Sequence, residues 1–206
     1  MRLLAQHSEG FDPGAPWIEG DVSTRQDSRL FTQMVARRTS PHTGREHAFY
    51  RLQGPDWVNV IAFTQDLELV VVEQYRHGIN EATFEIPGGC CDSGENPLES
   101  AKRELLEESG FSADSWISLG SCTPNPATQT NRAHTFLALD CKATADLHLD
   151  SAEELQVWAF SWNEWEECLR NGKIHHALVL TAFLKLSYWD GWPELRARLR
   201  ERIPQE

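Results

Sequence analysis

Three glutamates near the middle of the chain have the spacing of a metal-binding group. Glu104, Glu107 and Glu108 occupy positions i, i+3 and i+4 of a segment that predicts a helix, so their carboxylates share one face. Like charges at this spacing destabilise a helix. A solvated acidic surface would account for them, but hard oxygen ligands on a rigid helix are also what Mg²⁺ or Mn²⁺ requires. The surrounding residues decide between the two interpretations.

The residues that precede the helix favour the metal site. Gly88 and Gly89 allow a tight turn and a close approach of the backbone, and a backbone carbonyl there could face the same ions. Glu95 lies before the helix and Arg103 lies within it. An ion pair between these two side chains would hold the loop against the helix.

The helix itself is predicted over residues 97–109. Asn96 is a good N-cap, Pro97 suits the first helical position, and Gly110 is a natural residue just after the C-terminus. A broad apolar arc lies next to the acidic face and is formed by Leu98, Ala101, Leu105 and Leu106. We expect this arc to pack on a sheet.

Residues 89–111 resemble the Nudix box, G-x5-E-x7-R-E-U-x-E-E-x-G-U, in which U is a bulky apolar residue. Every specified position matches, through Gly89, Glu95, Arg103, Glu104, Leu105, Glu107, Glu108, Gly110 and Phe111. So complete a match is a strong signal, unlike a lone glycine motif. The order of the predicted strands also resembles the α/β/α sandwich of this family, so the expected fold class is α+β.

The resemblance implies metal-dependent hydrolysis of a pyrophosphate bond, with Mg²⁺ as the cofactor and Mn²⁺ as a substitute. Glu104 and Glu108 match the principal metal ligands of the family, and Glu107 matches a further ligand or a group behind it. Gly88 stands where many relatives donate a backbone carbonyl to the metal. The box residues with structural roles in the family are matched here by Gly89, Glu95, Arg103 and Gly110.

The segments around the box resemble the ADP-ribose and nucleoside-diphosphate-sugar pyrophosphatase branch, through VVVEQYRHG and ATFEIPGG. In that branch the arginine matching Arg76 tends to bind a substrate phosphate, and the glutamate matching Glu85 lies at the site. Pro126 stands about 15 residues beyond the box, where a proline marks the ADP-ribose group. Asn131 in the same loop is a further candidate for substrate binding. Many ADP-ribose enzymes have Ala in place of Gly88, which leaves other nucleoside-diphosphate sugars open as substrates.

The general base of this branch usually comes from a loop after the box. Glu153 and Glu154 lie in SAEELQVW, just before a predicted strand. A loop carboxylate could take the proton from a metal-bound water. The alternative is that both are ordinary loop acids that face solvent.

The chain divides near residue 55 into two predicted parts. Residues 1–54 should form an N-terminal arm and β-strand region, and residues 55–206 a Nudix hydrolase domain. Within the first part, residues 1–28 are rich in Gly, Pro, Asp and Ser and predict an irregular arm. The strands predicted after it resemble a region through which relatives dimerise, so we expect a homodimer.

The charge of the chain limits its partners. A formal net charge of −12 over 206 residues argues against a nucleic acid polymer or a membrane surface and allows a small nucleotide bound through metal ions. No stretch approaches the roughly 20 apolar residues of a membrane span, and the N-terminal apolar run is too short for a signal peptide. Five cysteines without a C-x-x-C pair predict free thiols in the cytoplasm.

Two other functions are compatible with parts of this pattern. One is hydrolysis of dinucleoside polyphosphates or other capped nucleotides by the same box. The other is a non-catalytic sensor of ADP-ribose. Such sensors normally lose box carboxylates or add a DNA-binding domain, whereas this chain keeps every box residue.

Overall fold

The computed structural model describes residues 15–28, 30–145 and 154–201, which form two compact units. The first unit contains the described residues up to Gly54 together with Asn125–Thr130. The second unit contains Pro55–Pro124 and the described residues from Asn131 onward. Nothing in the sequence indicated that Asn125–Thr130 belongs with the N-terminal residues.

The first unit is a three-stranded antiparallel sheet in the order β1-β2-β3, with β1 at Ile18–Asp27, β2 at Thr32–Thr39 and β3 at Glu46–Gln53. Strands β2 and β3 pair without interruption. The prediction of an irregular arm is wrong for Ile18–Asp27, because pairing with β2 overrides the poor strand propensity of Gly20 and Asp21. The amide of Leu52 donates to the Thr128 carbonyl at 2.8 Å, which joins the segment Asn125–Thr130 to β3.

The second unit is built on a mixed seven-stranded sheet in the described part of the chain. Its strands are β4 (Trp57–Thr64), β5 (Leu69–Arg76), β6 (Glu81–Glu85), β7 (Phe111–Ser112), β8 (Ser115–Cys122), β9 (Ala133–Ala143) and β10 (Leu155–Phe160). Their order is β10-β5-β4-β9-β7, with β6 paired to β5 and β8 paired to β9. Strands β4 and β9 are parallel, and the other pairs are antiparallel.

Helices cover both faces of this sheet, which confirms the predicted α+β class and the α/β/α sandwich. The helices are α1 (Pro97–Ser109), α2 (Trp162–Arg170), α3 (Ala177–Ser187) and α4 (Trp192–Glu201). Side chains of β4 alternate between the two faces, so that Val60 packs with Leu105 of α1 and Ile61 packs with Trp165 of α2. Both cores are fully buried, and the sheet therefore holds α1 in a fixed position.

Helix α1 begins and ends where its sequence predicts. The Asn96 side chain accepts from the Leu98 amide at 2.9 Å, and Pro97 is the first helical residue. Gly110 adopts a left-handed φ of 72°, and its amide donates to the Leu106 carbonyl at 2.8 Å. This boundary fixes the last turn of the helix, in which Glu107 and Glu108 lie.

None of the described helices is long and apolar enough to cross a membrane.

Candidate active site

The C-terminal half of α1 carries the three predicted metal ligands on one face. Glu104 and Glu108 are buried, and Glu107 is partly exposed. Carboxylates at the C-terminal end of a helix are opposed by the helix dipole, and α1 has no basic residue in its last turn. Helix stability therefore does not account for these acidic residues, and a bound cation would.

The loop before α1 is anchored on strand β4. The carbonyl of Pro87 accepts from the Val60 amide at 2.8 Å, and the carbonyl of Gly89 accepts from the Val58 amide at 2.9 Å. Both bonds use the side of the loop that faces the sheet. Because the peptide groups of an extended chain alternate in direction, the amide N–H of Gly88 points away from β4 and towards the helix.

Gly88 and Gly89 contact the buried carboxylates directly. The Gly88 amide donates to Glu108 Oε2 at 2.8 Å. A Cβ atom at Gly89 would lie 2.6 Å from the carboxylate carbon of Glu104, and one at Gly88 would lie 2.2 Å from the carbonyl oxygen of Val58. A side chain at Gly88 would therefore require a shift of the backbone, and one at Gly89 would displace the Glu104 carboxylate. The close fit brings the loop backbone and two acidic side chains to one place.

Arg103 joins the loop to the helix. Its Nη2 atom lies 3.0 Å from Glu95 Oε2 and donates to the Cys90 carbonyl at 3.0 Å. The Ser100 hydroxyl donates to the same Glu95 oxygen at 2.5 Å, and the Asp92 amide donates to it at 3.0 Å. Hydrogen bonds from Arg103 lower the pKa of Glu95 to about 2. The ion pair is therefore charged at any physiological pH.

The same guanidinium also reaches the acidic face of the helix. Arg103 Nη1 donates to Glu104 Oε1 at 2.8 Å and to Glu107 Oε2 at 3.0 Å. The bond with Glu95, and the further bonds with Glu104 and Glu107, raise the pKa of Arg103 against the effect of burial. The permanent charge of Arg103 therefore offsets part of the negative charge of Glu95, Glu104 and Glu107.

The donor set fits Mg²⁺ or Mn²⁺, although the described side chains are not gathered around one point. Within residues 15–28, 30–145 and 154–201, no three histidine, cysteine, aspartate or glutamate side chains are already arranged to hold a metal ion. Glu104 and Glu107 contact Arg103, and Glu108 contacts the Gly88 amide. The fit rests on the carboxylate oxygen atoms of one helix face and on the Gly88–Gly89 backbone, which lies against Glu104 and Glu108.

Arg76 and Glu85 form a bidentate ion pair between the neighbouring strands β5 and β6. Arg76 Nε donates to Glu85 Oε1 at 2.7 Å, and its Nη2 atom donates to Oε2 at 2.8 Å. The hydroxyl of Thr83 donates to Oε1 at 2.5 Å. Burial raises the pKa of Glu85, but the hydrogen bonds and charge of Arg76 outweigh it and lower this pKa overall. Glu85 therefore holds the guanidinium in one orientation, as phosphate recognition requires.

The remaining predicted substrate residues lie in different surroundings. Asn131 is 3% exposed, and neither atom of its amide has a hydrogen-bond partner among the described residues. Such an amide is costly to bury, by about 1–3 kcal/mol, unless a ligand or water completes it. Pro126 is an exposed residue of the first unit. Glu154 is exposed just before β10, and Glu153 lies outside the described residues.

Three side chains contact these groups in a way that the sequence did not predict. Ser100 bridges Glu95 and Arg103, and Thr83 supports Glu85. Thr83 could have been found from the alternation of β6, because it lies two residues from Glu85 on the same face. His176, whose Nε2 atom lies 3.9 Å from Glu85 Oε2, is brought there only by the packing of α3.

The fold and the carboxylate-rich site define a pyrophosphohydrolase of the Nudix class. The NUDIX domain family matches residues 55–183, and the chain belongs to this family.

The chain is similar to several characterised relatives. It is 37% identical over 130 residues to the methanol dehydrogenase activator of Bacillus methanolicus. This match covers 62% of this chain and 70% of that protein. It is 27% identical to an ADP-ribose pyrophosphatase of Bacillus subtilis, over 60% of this chain and 67% of the relative. It is 28% identical to the ADP compounds hydrolase NudE of Escherichia coli, over 82% and 90%.

A crystal structure of an ADP compounds hydrolase has the same fold. The TM-score is 0.74 at 22% sequence identity, and the match covers 85% of this chain and 94% of that one. At this identity the likeness concerns the fold alone.

We predict that Glu95→Gln will destabilise the protein in a manner that depends on pH. The pKa of Glu95 is lowered in the folded state from 4.5 to about 2, so its charged form stabilises the fold above about pH 4.5. The variant should lose about 1–3 kcal/mol of the free energy of unfolding at pH 7. This loss should shrink as the pH falls towards about 2, as measured by urea unfolding at a series of pH values.

Glu99→Gln is the matched control, because Glu99 forms an exposed pair with Lys102 at 2.8 Å on the first turn of the same helix. It should change the free energy of unfolding by well under about 1 kcal/mol. A loss in Glu95→Gln that stayed constant from pH 7 to pH 3 would contradict the proposed role of the charged pair.

Proposed function

We propose that this Nudix enzyme hydrolyses the pyrophosphate bond of ADP-ribose or a related nucleoside-diphosphate sugar, with Mg²⁺ as its cofactor. The products would be a nucleoside monophosphate and a sugar phosphate. The observation that carries the proposal is the contact of the Gly88–Gly89 loop with the buried carboxylates of Glu104 and Glu108. This arrangement places acidic oxygen atoms and a loop backbone together beside the sheet.

The metal-binding residues in this proposal are Glu104, Glu107, Glu108 and the carbonyl of Gly88. When bound there, Mg²⁺ polarises phosphate oxygens and lowers the pKa of a water molecule, and Mn²⁺ could substitute for it. The chain itself orients the ligands. Arg103 contacts the carboxylates of Glu104 and Glu107, and the Gly88 amide donates to one oxygen of Glu108.

The ion pair of Arg76 and Glu85 supports a phosphate-containing substrate. A planar guanidinium oriented by a buried carboxylate can bind a phosphate with little further loss of side-chain entropy. The buried amide of Asn131 supports a ligand with polar groups. The names of two relatives, an ADP-ribose pyrophosphatase and an ADP compounds hydrolase, favour the same chemical class. Pro126 belongs to the proposal through the family resemblance alone.

A loop carboxylate is the proposed general base. Glu154 is exposed and directly precedes β10, and Glu153 is the neighbouring candidate. Either could accept a proton from water once the substrate is bound. A cytoplasmic location belongs to the same proposal, since the five cysteines form no disulfide.

We expect Glu108→Gln to abolish most of the metal-dependent turnover. Glutamine keeps an oxygen that can accept from the Gly88 amide, so the loop should stay in place. The variant lacks the charge that a divalent cation requires, so kcat should fall by at least about 100-fold. This loss exceeds the one expected when a residue that only hydrogen-bonds to a metal ligand is replaced. Calorimetric titration with Mn²⁺ and the far-UV circular dichroism spectrum should show weaker metal binding in an intact fold. Near-normal turnover would overturn the metal assignment.

A panel of substrates tests the proposed reaction itself. With Mg²⁺, ADP-ribose should yield AMP and ribose 5-phosphate, and the panel should also contain ADP-glucose, UDP-glucose and GDP-mannose. The value of kcat/KM for at least one of these should exceed that for diadenosine tetraphosphate by about tenfold or more. If the whole panel stayed intact while diadenosine tetraphosphate was cleaved, the proposed substrate class would be wrong.

The first unit supports the proposal of a homodimer. Its small sheet exposes large apolar side chains, among them Ile18 at 65%, Phe49 at 41% and Tyr50 at 62%. Trp17 packs edge to face on Phe49, with 5.4 Å between ring centroids, and forms an exposed aromatic cluster. Large apolar side chains exposed on a small sheet favour an interaction site, and a second copy of the chain would cover those on the face of Trp17 and Phe49.

Phe49→Asp should therefore convert a dimer into a monomer. Light scattering coupled to size-exclusion chromatography should give twice the 23.5 kDa chain mass for the wild-type protein and one chain mass for the variant. Tyr188→Asp is the matched control, because Tyr188 is 81% exposed on the second unit. This substitution should leave the measured mass unchanged. A monomeric wild-type protein would refute the dimer.

A further inference from the structure

His176 lies where the ion pair of Arg76 and Glu85 meets helix α3. It is the residue before the helix, but its side chain forms no capping hydrogen bond. Its Nε2 atom instead lies 3.9 Å from Glu85 Oε2. Its Nδ1 atom is buried and has no hydrogen-bond partner among the described residues. The imidazole is thus aimed at Glu85 across a gap slightly longer than a hydrogen bond.

The geometry points to His176 as a positioning residue that takes up a proton when a diphosphate binds Arg76, and that then holds the Glu85 carboxylate. This inference rests on the proposed function, because it assumes that Arg76 receives a substrate phosphate.

The charges around His176 explain why the free protein keeps it neutral. Burial lowers the pKa of His176, and the positive charge of Arg76 and the neighbouring His175 lower it further, while Glu85 acts in the opposite direction. Among the described residues, Arg76, Glu85 and His175 are the charged or titratable groups that act on it from β5, β6 and its own segment. At neutral pH, Arg76 alone therefore neutralises the buried carboxylate.

A bound diphosphate changes this balance. Its negative charge lies against Arg76, so the guanidinium must serve a phosphate and a carboxylate at once. Glu85 is only 3% exposed, and a buried carboxylate whose partner is shared is strongly destabilised. His176 lies 3.9 Å from Glu85 and can gain a positive charge close to neutral pH. Movement of under about 1 Å would bring it within hydrogen-bond distance of Glu85.

Proton uptake on binding tests the inference directly. The probe is the α,β-methylene analogue of ADP-ribose with Mg²⁺, whose diester phosphates do not titrate near neutral pH. Calorimetry at pH 7 in two buffers of different ionisation enthalpy should show uptake of up to about one proton per site. Because the proton is gained on binding, the affinity should strengthen as the pH falls from 8 to 6.

Two variants separate ionisation from packing. His176→Gln keeps a donor near Glu85 but cannot ionise, so it should bind the analogue without proton uptake and without the change of affinity with pH. His176→Ala should raise KM about tenfold with little change in kcat, because Glu85 loses the donor. His175→Gln is the matched control. His175 lies 3.4 Å from Glu81 at the surface, and this variant should keep the uptake.

The outcomes distinguish this inference from the proposed function. Absence of binding in the wild-type protein would overturn the proposed substrate class and this inference with it. Binding without proton uptake, or uptake that persists in His176→Gln, would overturn the role of His176 alone.

Discussion

The second unit depends on the guanidinium of Arg103 for the assembly of its site. This group bonds to Glu95 and the Cys90 carbonyl in the loop and to Glu104 and Glu107 on the helix. A single cation therefore fixes the distance between the loop and the acidic face. Without it, three carboxylates on adjacent turns would repel one another, and the loop would lose its charged tie to α1 while the bonds of Glu108 with the Gly88 amide and of Ser100 with Glu95 would stay. The charge is permanent, so the arrangement is ready before any metal ion or substrate arrives.

The sheet supplies the second constraint. Strand β4 holds the loop through the carbonyls of Pro87 and Gly89 and packs against α1 through Val60. The loop is thus confined between a strand and a helix that pack together through a buried apolar core. Side chains placed on rigid elements keep their geometry better than those on free loops. The ion pair of Arg76 and Glu85 follows the same rule, since both residues belong to strands of that sheet.

The sequence predicts the local features well and the long-range ones poorly. The caps of α1 and the pair of Glu95 and Arg103 follow from spacing alone, because each depends on neighbours along the chain. The strand at Ile18–Asp27 was missed because its pairing with β2, not its composition, makes it a strand. His176 reaches Glu85 across 91 residues of chain through the packing of α3, and no periodicity encodes such a contact. The burial of Asn131 is equally hidden from the sequence, because it depends on packing between distant parts of the chain.

Gly88 limits how this site can change during evolution. A methyl group there would lie 2.2 Å from the Val58 carbonyl, yet many ADP-ribose enzymes that this chain resembles have Ala at the matching position. An alanine in this chain would require the loop and strand β4 to separate. The two forms are thus not interchangeable by one substitution, because β4 and the loop must move together. The residue at position 88 and the residues that set the spacing between β4 and the loop would therefore change only through coupled mutations.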